Sequence, residues 1–170
     1  MMRKEIRLSG FGGQGVVLMG HVLGKAAVID GKNVTLTQSY GPEARGGACS
    51  ADVIISDKAI NYPSVRRPDV LVSMSPSALE TYIGSLKEDG KLIIDSGLVE
   101  HEDSFGIPAT DLAEKEMGTR LVANMVMIGY ITKVTELLSA ESVKKAIVQM
   151  VPKGTEEKNI KAFDMGYDYN

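Results

Sequence analysis

The sequence opens with three segments whose apolar and polar positions follow different periods. Residues 4–9 alternate charged and apolar side chains, which predicts a first strand. Residues 16–29 place apolar side chains at helical spacing and end in turn residues. Residues 33–38 alternate again and predict a second strand. Together they predict a βαβ unit, with two parallel strands joined by a right-handed crossover.

The remainder of the chain continues the same alternation of strands and helices. Further strands are predicted at residues 49–56, 69–74, 91–95 and 107–109, and helices at residues 75–86, 111–117, 120–138 (the longest), 139–150 and 155–165. This order predicts an α/β fold: a Rossmann-like three-layer domain with a mostly parallel sheet and helices on both faces. Residues 1–170 are predicted to form a single domain that includes the C-terminal helices from about residue 139.

Composition and charge narrow the class of protein. Hydrophobic residues make up 44% of the 170 residues but aromatic residues only 5%, so the predicted core is aliphatic. A formal net charge of −3 gives no general attraction to nucleic acid or to an anionic membrane. The most apolar later segment, residues 121–131, is too short to span a bilayer. The N-terminus lacks a signal-peptide pattern, so we expect a cytoplasmic protein that binds neither nucleic acid nor membrane.

Cysteine usage limits the metal and redox chemistry of the chain. Cys49 is the only cysteine, and one thiol cannot hold an iron–sulfur cluster or a structural zinc ion. No metal site is therefore predicted here. If the protein serves redox chemistry, the electron carriers lie on other chains.

A glycine-rich turn follows the first predicted strand. Residues 10–15 read Gly-Phe-Gly-Gly-Gln-Gly and fit the pattern G-x-G-x-x-G between a strand and a helix. Gly12, Gly13, Gln14 and Gly15 are candidate cofactor-binding residues, because glycine lets a phosphate approach the N–H groups at a helix N-terminus. The alternative is that the glycines only allow close packing of helix and strand. The Gln14 amide favours ligand contact, since it can donate outward.

The end of the second strand argues against a dinucleotide. NAD-binding domains place a carboxylate there to bind the ribose, whereas this strand ends in Thr37-Gln38-Ser39. NAD is therefore disfavoured.

A second loop, residues 39–47, leaves the second strand at the sheet edge where the glycine turn leaves the first. Ligands of open α/β sheets bind at this edge. The loop supplies the remaining candidate cofactor-binding residues, which are Ser39, Tyr40, Glu43, Arg45, Gly46 and Gly47. Arg45 and Glu43 can instead form a salt bridge within the loop or bind a neighbouring subunit, and the Tyr40 ring can pack beneath the loop.

The glycine turn and this second loop together closely resemble the gamma subunit of 2-oxoacid:ferredoxin oxidoreductases. The nearest kin are the 2-oxoglutarate and branched-chain 2-oxoacid enzymes. The resemblance continues through residues 69–76, 124–129 and 159–166, and so covers nearly the whole chain.

The resemblance implies a multi-subunit enzyme that converts a 2-oxo acid, coenzyme A and oxidised ferredoxin to an acyl-CoA, CO₂ and reduced ferredoxin, with 2-oxoglutarate as the expected substrate. It implies that thiamine diphosphate and Mg²⁺ bind between alpha and beta subunits, and that iron–sulfur clusters lie in the beta or a delta subunit. The gamma chain alone would be inactive and would carry no catalytic residue.

Two alternatives stay open at this point. The chain can be a free-standing nucleotide- or phosphate-binding module, or a purely architectural subunit whose loops serve assembly. We also expect the isolated chain to form a homodimer, because a gamma subunit without its partners exposes apolar surface.

Overall fold

The fold is built on one six-stranded sheet. A computed structural model describes residues 1–39 and 47–170 of the chain. The strands are β1 (Arg3–Gly10), β2 (Asn33–Ser39), β3 (Cys49–Ser56), β4 (Val70–Ser73), β5 (Lys91–Asp95) and β6 (Phe105–Ile107). Their order across the sheet is β2-β3-β1-β4-β5-β6.

Strand β3 is the exception to an otherwise parallel sheet. Strands β1, β4, β5 and β6 pair in parallel, whereas β3 is antiparallel to both β1 and β2. The βαβ prediction is therefore corrected: β1 and β2 point the same way but are separated by β3. A short connection from β2 to β3 joins neighbouring antiparallel strands, while parallel neighbours need a longer crossover.

In the described part of the chain, six α-helices cover the two faces of the sheet unequally. They are α1 (Val16–Ile29), α2 (Pro76–Tyr82), α3 (Ala109–Met117), α4 (Ala123–Thr135), α5 (Ala140–Met150) and α6 (Glu156–Tyr167). Helices α1 and α3 to α6 share the larger apolar core, and α2 packs on the opposite face. The predicted α/β fold, with a mostly parallel sheet and helices on both faces, is confirmed. Within residues 1–39 and 47–170, no helix is both long enough and apolar enough to cross a membrane.

Alternation along the strands determines which face each side chain joins. Ile6 and Leu8 of β1 are fully buried in the larger core, as are Val53 and Ile55 of β3. The intervening Arg7 of β1 faces the α2 side. The core is aliphatic, as the composition predicted, and Phe163 is its largest fully buried side chain.

Three predicted elements differ from the structure. The helix expected at residues 75–86 is α2 followed by a 3₁₀ turn, Ile83–Ser85. The edge strand expected at residues 107–109 is Phe105–Ile107, because Pro108 follows and helix α3 begins at Ala109. The long helix expected at residues 120–138 is a 3₁₀ turn, Arg120–Val122, followed by α4. Helix α4 ends at Thr135 because Glu136 adopts the left-handed conformation, with φ of 53°.

A carboxylate at the end of α1 ties that helix to the start of α5. Asp30 accepts hydrogen bonds from the Ser139 amide and hydroxyl, each at 2.9 Å, and from the Ser142 hydroxyl. Ser139 in turn accepts a bond from the Ser142 amide at 3.1 Å and caps α5. Burial raises the pKa of Asp30, but these hydrogen bonds outweigh it and hold the pKa below its usual value.

Helices α4 and α6 approach so closely that only glycine fits at the crossing. A Cβ on Gly129 would lie 2.0 Å from the Phe163 carbonyl oxygen, and a Cβ on Gly166 would lie 1.8 Å from the Val126 carbonyl oxygen. Both obstacles are backbone atoms, so a side chain at either position must separate the helices.

Gly166→Ala is expected to lower the free energy of unfolding by at least about 2 kcal/mol, because the new methyl group overpacks the crossing. Chemical denaturation of the two purified proteins measures the difference. Gly84→Ala is the matched control, since no atom lies within 4 Å of the Cβ it would add. Equal stabilities for the Gly166 and Gly84 variants would contradict the close crossing.

Candidate functional site

The glycine turn and the ends of β2 and β3 meet at one edge of the sheet. Gly10, the last residue of β1, pairs with Cys49, the first residue of β3. Ser39, the last residue of β2, pairs with Ser50. The prediction that the two candidate loops leave the sheet at the same edge is therefore confirmed, although the start of β3 lies between them.

Both ends of the Gln14 side-chain amide are engaged inside the protein. The carbonyl oxygen Oε1 accepts a hydrogen bond from the Phe11 amide at 2.6 Å. The nitrogen Nε2 donates to the Met74 carbonyl oxygen at 2.8 Å. Gln14 therefore holds the glycine turn against the end of β4 through one of its two side-chain N–H donors, an inward contact that the sequence did not predict.

Gly15 and Asn124 link the turn to helix α4. Gly15 has φ of 75° and directly precedes α1, a conformation that favours glycine. A Cβ at this position would lie 2.4 Å from the Asn124 side-chain nitrogen, so the contact also requires glycine. Asn124 is buried; its side-chain nitrogen donates to the Gly15 carbonyl oxygen at 3.4 Å, and its oxygen accepts from the Met125 amide at 2.9 Å.

A cavity of about 300 Å³ opens beside the turn. The turn contributes Gly12, Gly13 and Gln14, and the other lining residues are Met74, Leu98, Thr110, Arg120, Leu121 and Ala123. Gly12 and Gly13 are exposed, so their backbone is accessible from solvent. The cavity therefore combines accessible glycine backbone, an arginine and apolar side chains.

Exposed apolar side chains surround this cavity. Leu121 is 82% exposed, Phe11 is 47% exposed and Leu98 is 39% exposed. Leu98 and Leu121 line the cavity, and Phe11 belongs to the turn. Large apolar residues grouped at one place on a surface mark an interaction site more often than solitary ones do.

The first turn of α1 lines a neighbouring cavity of about 440 Å³. Residues 11–13 and 15–18 form most of its wall, and half-buried Cys49 forms the rest. The Cys49 sulfur lies 3.9 Å from the position of a Cβ on Gly12. This cavity places the helix N-terminus, which favours anions, at the same edge of the sheet.

Asp95 binds Thr110, which lines the cavity, and it was not singled out from the sequence. It ends β5, is completely buried, and its carboxylate accepts hydrogen bonds from the Thr110 amide at 3.0 Å and hydroxyl at 2.6 Å. Burial raises the pKa of Asp95 above its usual value, although the bonds from Thr110 and Gly97 counteract part of that effect. A carboxylate at the carboxyl end of a buried parallel strand was the available signal.

A half-buried ion pair lies near Ser39, on the face of the sheet that packs against α2. Arg7 Nε donates to Asp52 Oδ1 at 2.8 Å, and Nη2 donates to Asp52 Oδ2 at 2.9 Å. Its guanidinium also lies 5.0 Å from the centre of the Tyr82 ring. Hydrogen bonding to Asp52 raises the pKa of Arg7 further. These groups and Ser39 line a polar cavity of about 490 Å³.

Only two of the candidate binding residues in the second loop, Ser39 and Gly47, are described by the structure. Ser39 lines the polar cavity beside Arg7, and Gly47 is exposed with φ of 75°. Tyr40, Glu43, Arg45 and Gly46 lie outside the described residues.

The side chains and backbone groups at the described site limit which ligands it can bind. Across residues 1–39 and 47–170, no group of three or more His, Cys, Asp or Glu side chains is arranged to bind a metal ion. The edge of the sheet instead offers backbone N–H groups, hydroxyls and Arg120, which suit an anionic ligand or a partner chain.

Gln14→Glu is expected to lower the free energy of unfolding by about 1–3 kcal/mol, because a carboxylate would face the Met74 carbonyl oxygen where the amide now donates. Chemical denaturation near neutral pH measures the loss. Gln149→Glu makes the same change at an exposed position of α5 and should leave stability nearly unchanged. Equal effects at the two positions would show that the Gln14 contacts contribute nothing.

The chain resembles known proteins along almost its whole length. The family model described as pyruvate ferredoxin/flavodoxin oxidoreductase matches residues 5–169. The 2-oxoglutarate synthase subunit KorC of Methanothermobacter marburgensis is 54% identical over 177 aligned positions, covering 97% of this chain and 95% of that protein. The subunit of the same name from Methanocaldococcus jannaschii is 49% identical, covering 98% and 94%.

A solved structure shows the same fold. The gamma subunit of a keto/oxoacid ferredoxin oxidoreductase from Geobacter sulfurreducens PCA superimposes with a TM-score of 0.85 at 38% identity, covering 97% of this chain and 96% of that chain. The resemblance to gamma subunits read from the sequence is confirmed. The chain therefore belongs to the pyruvate ferredoxin/flavodoxin oxidoreductase family, as a gamma-type subunit of a 2-oxoacid:ferredoxin oxidoreductase.

Proposed function

We propose that this chain is the gamma subunit of an oxidoreductase that uses 2-oxoglutarate. The complete enzyme would convert 2-oxoglutarate, coenzyme A and oxidised ferredoxin to succinyl-CoA, CO₂ and reduced ferredoxin. The observation that carries this choice of substrate is the 54% identity, over nearly the whole of both chains, to a 2-oxoglutarate synthase subunit. Residues 1–170 would act as a single gamma-type domain in that complex.

The cofactors would lie on the partner subunits. Thiamine diphosphate with Mg²⁺ would supply the carbon chemistry between the alpha and beta subunits, and iron–sulfur clusters in a beta or delta subunit would carry electrons to ferredoxin. The single cysteine of this chain is consistent with that division of roles. The gamma chain would then contribute binding surface rather than a catalytic residue, and would act in the cytoplasm.

The apolar side chains around the glycine turn are the proposed contact with those subunits. Leu121 lines the cavity beside the glycine turn and Phe11 belongs to the turn, and both expose apolar surface that a partner chain would cover. Arg120 adds a charge at the same place, although it already pairs with Glu114 at 3.0 Å. The partner would bury the leucine and phenylalanine and leave the arginine at the rim.

A free-standing nucleotide-binding module is the weaker proposal. The end of β2 carries no carboxylate for a ribose, and the Gln14 amide is used within the protein rather than toward a ligand. Family membership along the whole chain also favours a subunit of the oxidoreductase.

Within the complex, the glycine turn and residues 39–47 would face the route by which coenzyme A reaches the active site. Two features of this edge support the proposal: the exposed backbone at Gly12 and Gly13, and the N-terminus of α1. The sequence adds a cation, Arg45, between Ser39 and Gly47. Phosphate groups bind well to such combinations of free N–H groups and a guanidinium.

Anaerobic co-purification of the tagged chain from its native host is the test of the assignment. We expect thiamine-binding and cluster-bearing subunits to be recovered, with coenzyme A-dependent reduction of ferredoxin at least about tenfold faster with 2-oxoglutarate than with pyruvate. Preference for another 2-oxo acid would change the substrate assignment only. Recovery of the chain alone, without activity, would favour the free-standing module.

Arg45→Ala tests the role of the second loop in the assembled enzyme. Loss of one charge-assisted hydrogen bond to a phosphate should raise the KM for coenzyme A about tenfold while the complex stays assembled. Arg66→Ala, an exposed arginine that stacks on Tyr62, is the matched control. A complex that falls apart would indicate an architectural role for the loop, and unchanged kinetics would remove Arg45 from the site.

A further inference from the structure

The two outermost strands of the sheet, β2 and β6, differ in how well they resist pairing with another strand. The β6 edge is only three residues long, and Pro108 follows it directly. The β2 edge is seven residues long and reads Asn-Val-Thr-Leu-Thr-Gln-Ser. Natural edge strands avoid pairing by being short or by carrying proline, a bulge or charged side chains. The sequence of β2 contains no proline and no charge.

Strand β2 is open on its outer side in the part of the chain that the structure describes. It pairs only with β3 there, and its residues are exposed or half-buried throughout. Val34 and Leu36 pack partly against the larger core, whereas Thr35 and Thr37 point to the other face. Both faces of the strand therefore carry side chains that a neighbouring strand could cover.

The Thr35 hydroxyl supplies an independent observation. Its oxygen is shielded from solvent and finds no hydrogen-bond partner among residues 1–39 and 47–170. Buried hydroxyls in folded proteins are almost always hydrogen-bonded. The side chain as a whole is half-buried and lies on the edge strand, so a threonine on an added strand would come within reach of it.

We propose that β2 is a homodimer interface, where two copies of this chain pair their β2 strands antiparallel across a two-fold axis and extend the sheet. A second copy fits this edge because an uncharged strand meets no repulsion from itself. A two-fold axis at Thr35 places Thr35 opposite Thr35 of the second copy and Val34 opposite Leu36. An axis at Leu36 places Thr35 opposite Thr37. In either register the hydroxyl of Thr35 lies opposite a threonine.

This interface is separate from the glycine turn, and the inference does not depend on the proposed substrate. The apolar side chains proposed to contact other subunits lie around the turn, at the ends of the strands. The β2 pairing instead uses the outer long side of β2, where the sheet has no further strand among the described residues. A gamma subunit can then dimerise and still present its glycine turn to partners.

Sedimentation of the full-length purified chain, alone and at micromolar concentration, tests the proposal. The unaltered chain is expected to be a dimer. Thr37→Lys should raise the dimer dissociation constant at least about tenfold, because it places one lysine from each copy in the paired segment. Gln149→Lys adds the same charge on α5 and should leave the dimer intact.

Thermal melting of each variant separates dissociation from misfolding. Gln38→Lys, at another exposed position of β2, replaces Thr37→Lys should that variant fail to fold. Amide hydrogen exchange in residues 33–39 should also slow as the protein concentration rises. A monomeric unaltered chain would overturn the proposal, and so would a dimer that resists a folded lysine variant of β2.

Discussion

The position of the candidate site residues that the structure describes depends on the pairing of β3 with its two neighbours. Because β3 runs antiparallel between β1 and β2, its first residues lie beside the last residues of both. The glycine turn, the end of β2 and the half-buried Cys49 are thereby brought to one edge. A parallel βαβ unit would have placed β2 directly beside β1 and left no place there for the start of β3.

The glycine turn is held in place from three directions. Gln14 bonds the turn to the end of β4, Asn124 bonds it to α4, and the conformation of Gly15 directs the chain into α1. These contacts leave the backbone of Gly12 and Gly13 exposed while the rest of the turn is fixed. A preorganised backbone loses little entropy when it binds a ligand or a partner.

Membership of the family and the exposed apolar side chains both indicate that the chain binds other subunits. The chain is a gamma-type subunit, and its structure combines a closely packed fold with exposed apolar surface. The close crossing of α4 and α6, possible only with Gly129 and Gly166, supplies rigidity on one side of the sheet. The exposed Leu121 and Phe11 lie near the fixed turn, so a partner that covers them would also contact the turn.

The sequence by itself determined the order of the elements, the glycine turn and the family, because these depend on local periodicity and on residues adjacent in the chain. Helix α1 and strands β3 and β5 have the bounds that periodicity predicted. Only the tertiary structure decided that β3 lies between β1 and β2, that Gln14 bonds inward to Met74, and that Asp95 meets Thr110 beneath the cavity. Strand order and side-chain partners depend on contacts between residues far apart in the chain, and hydrophobic periodicity carries no information about which distant groups will meet.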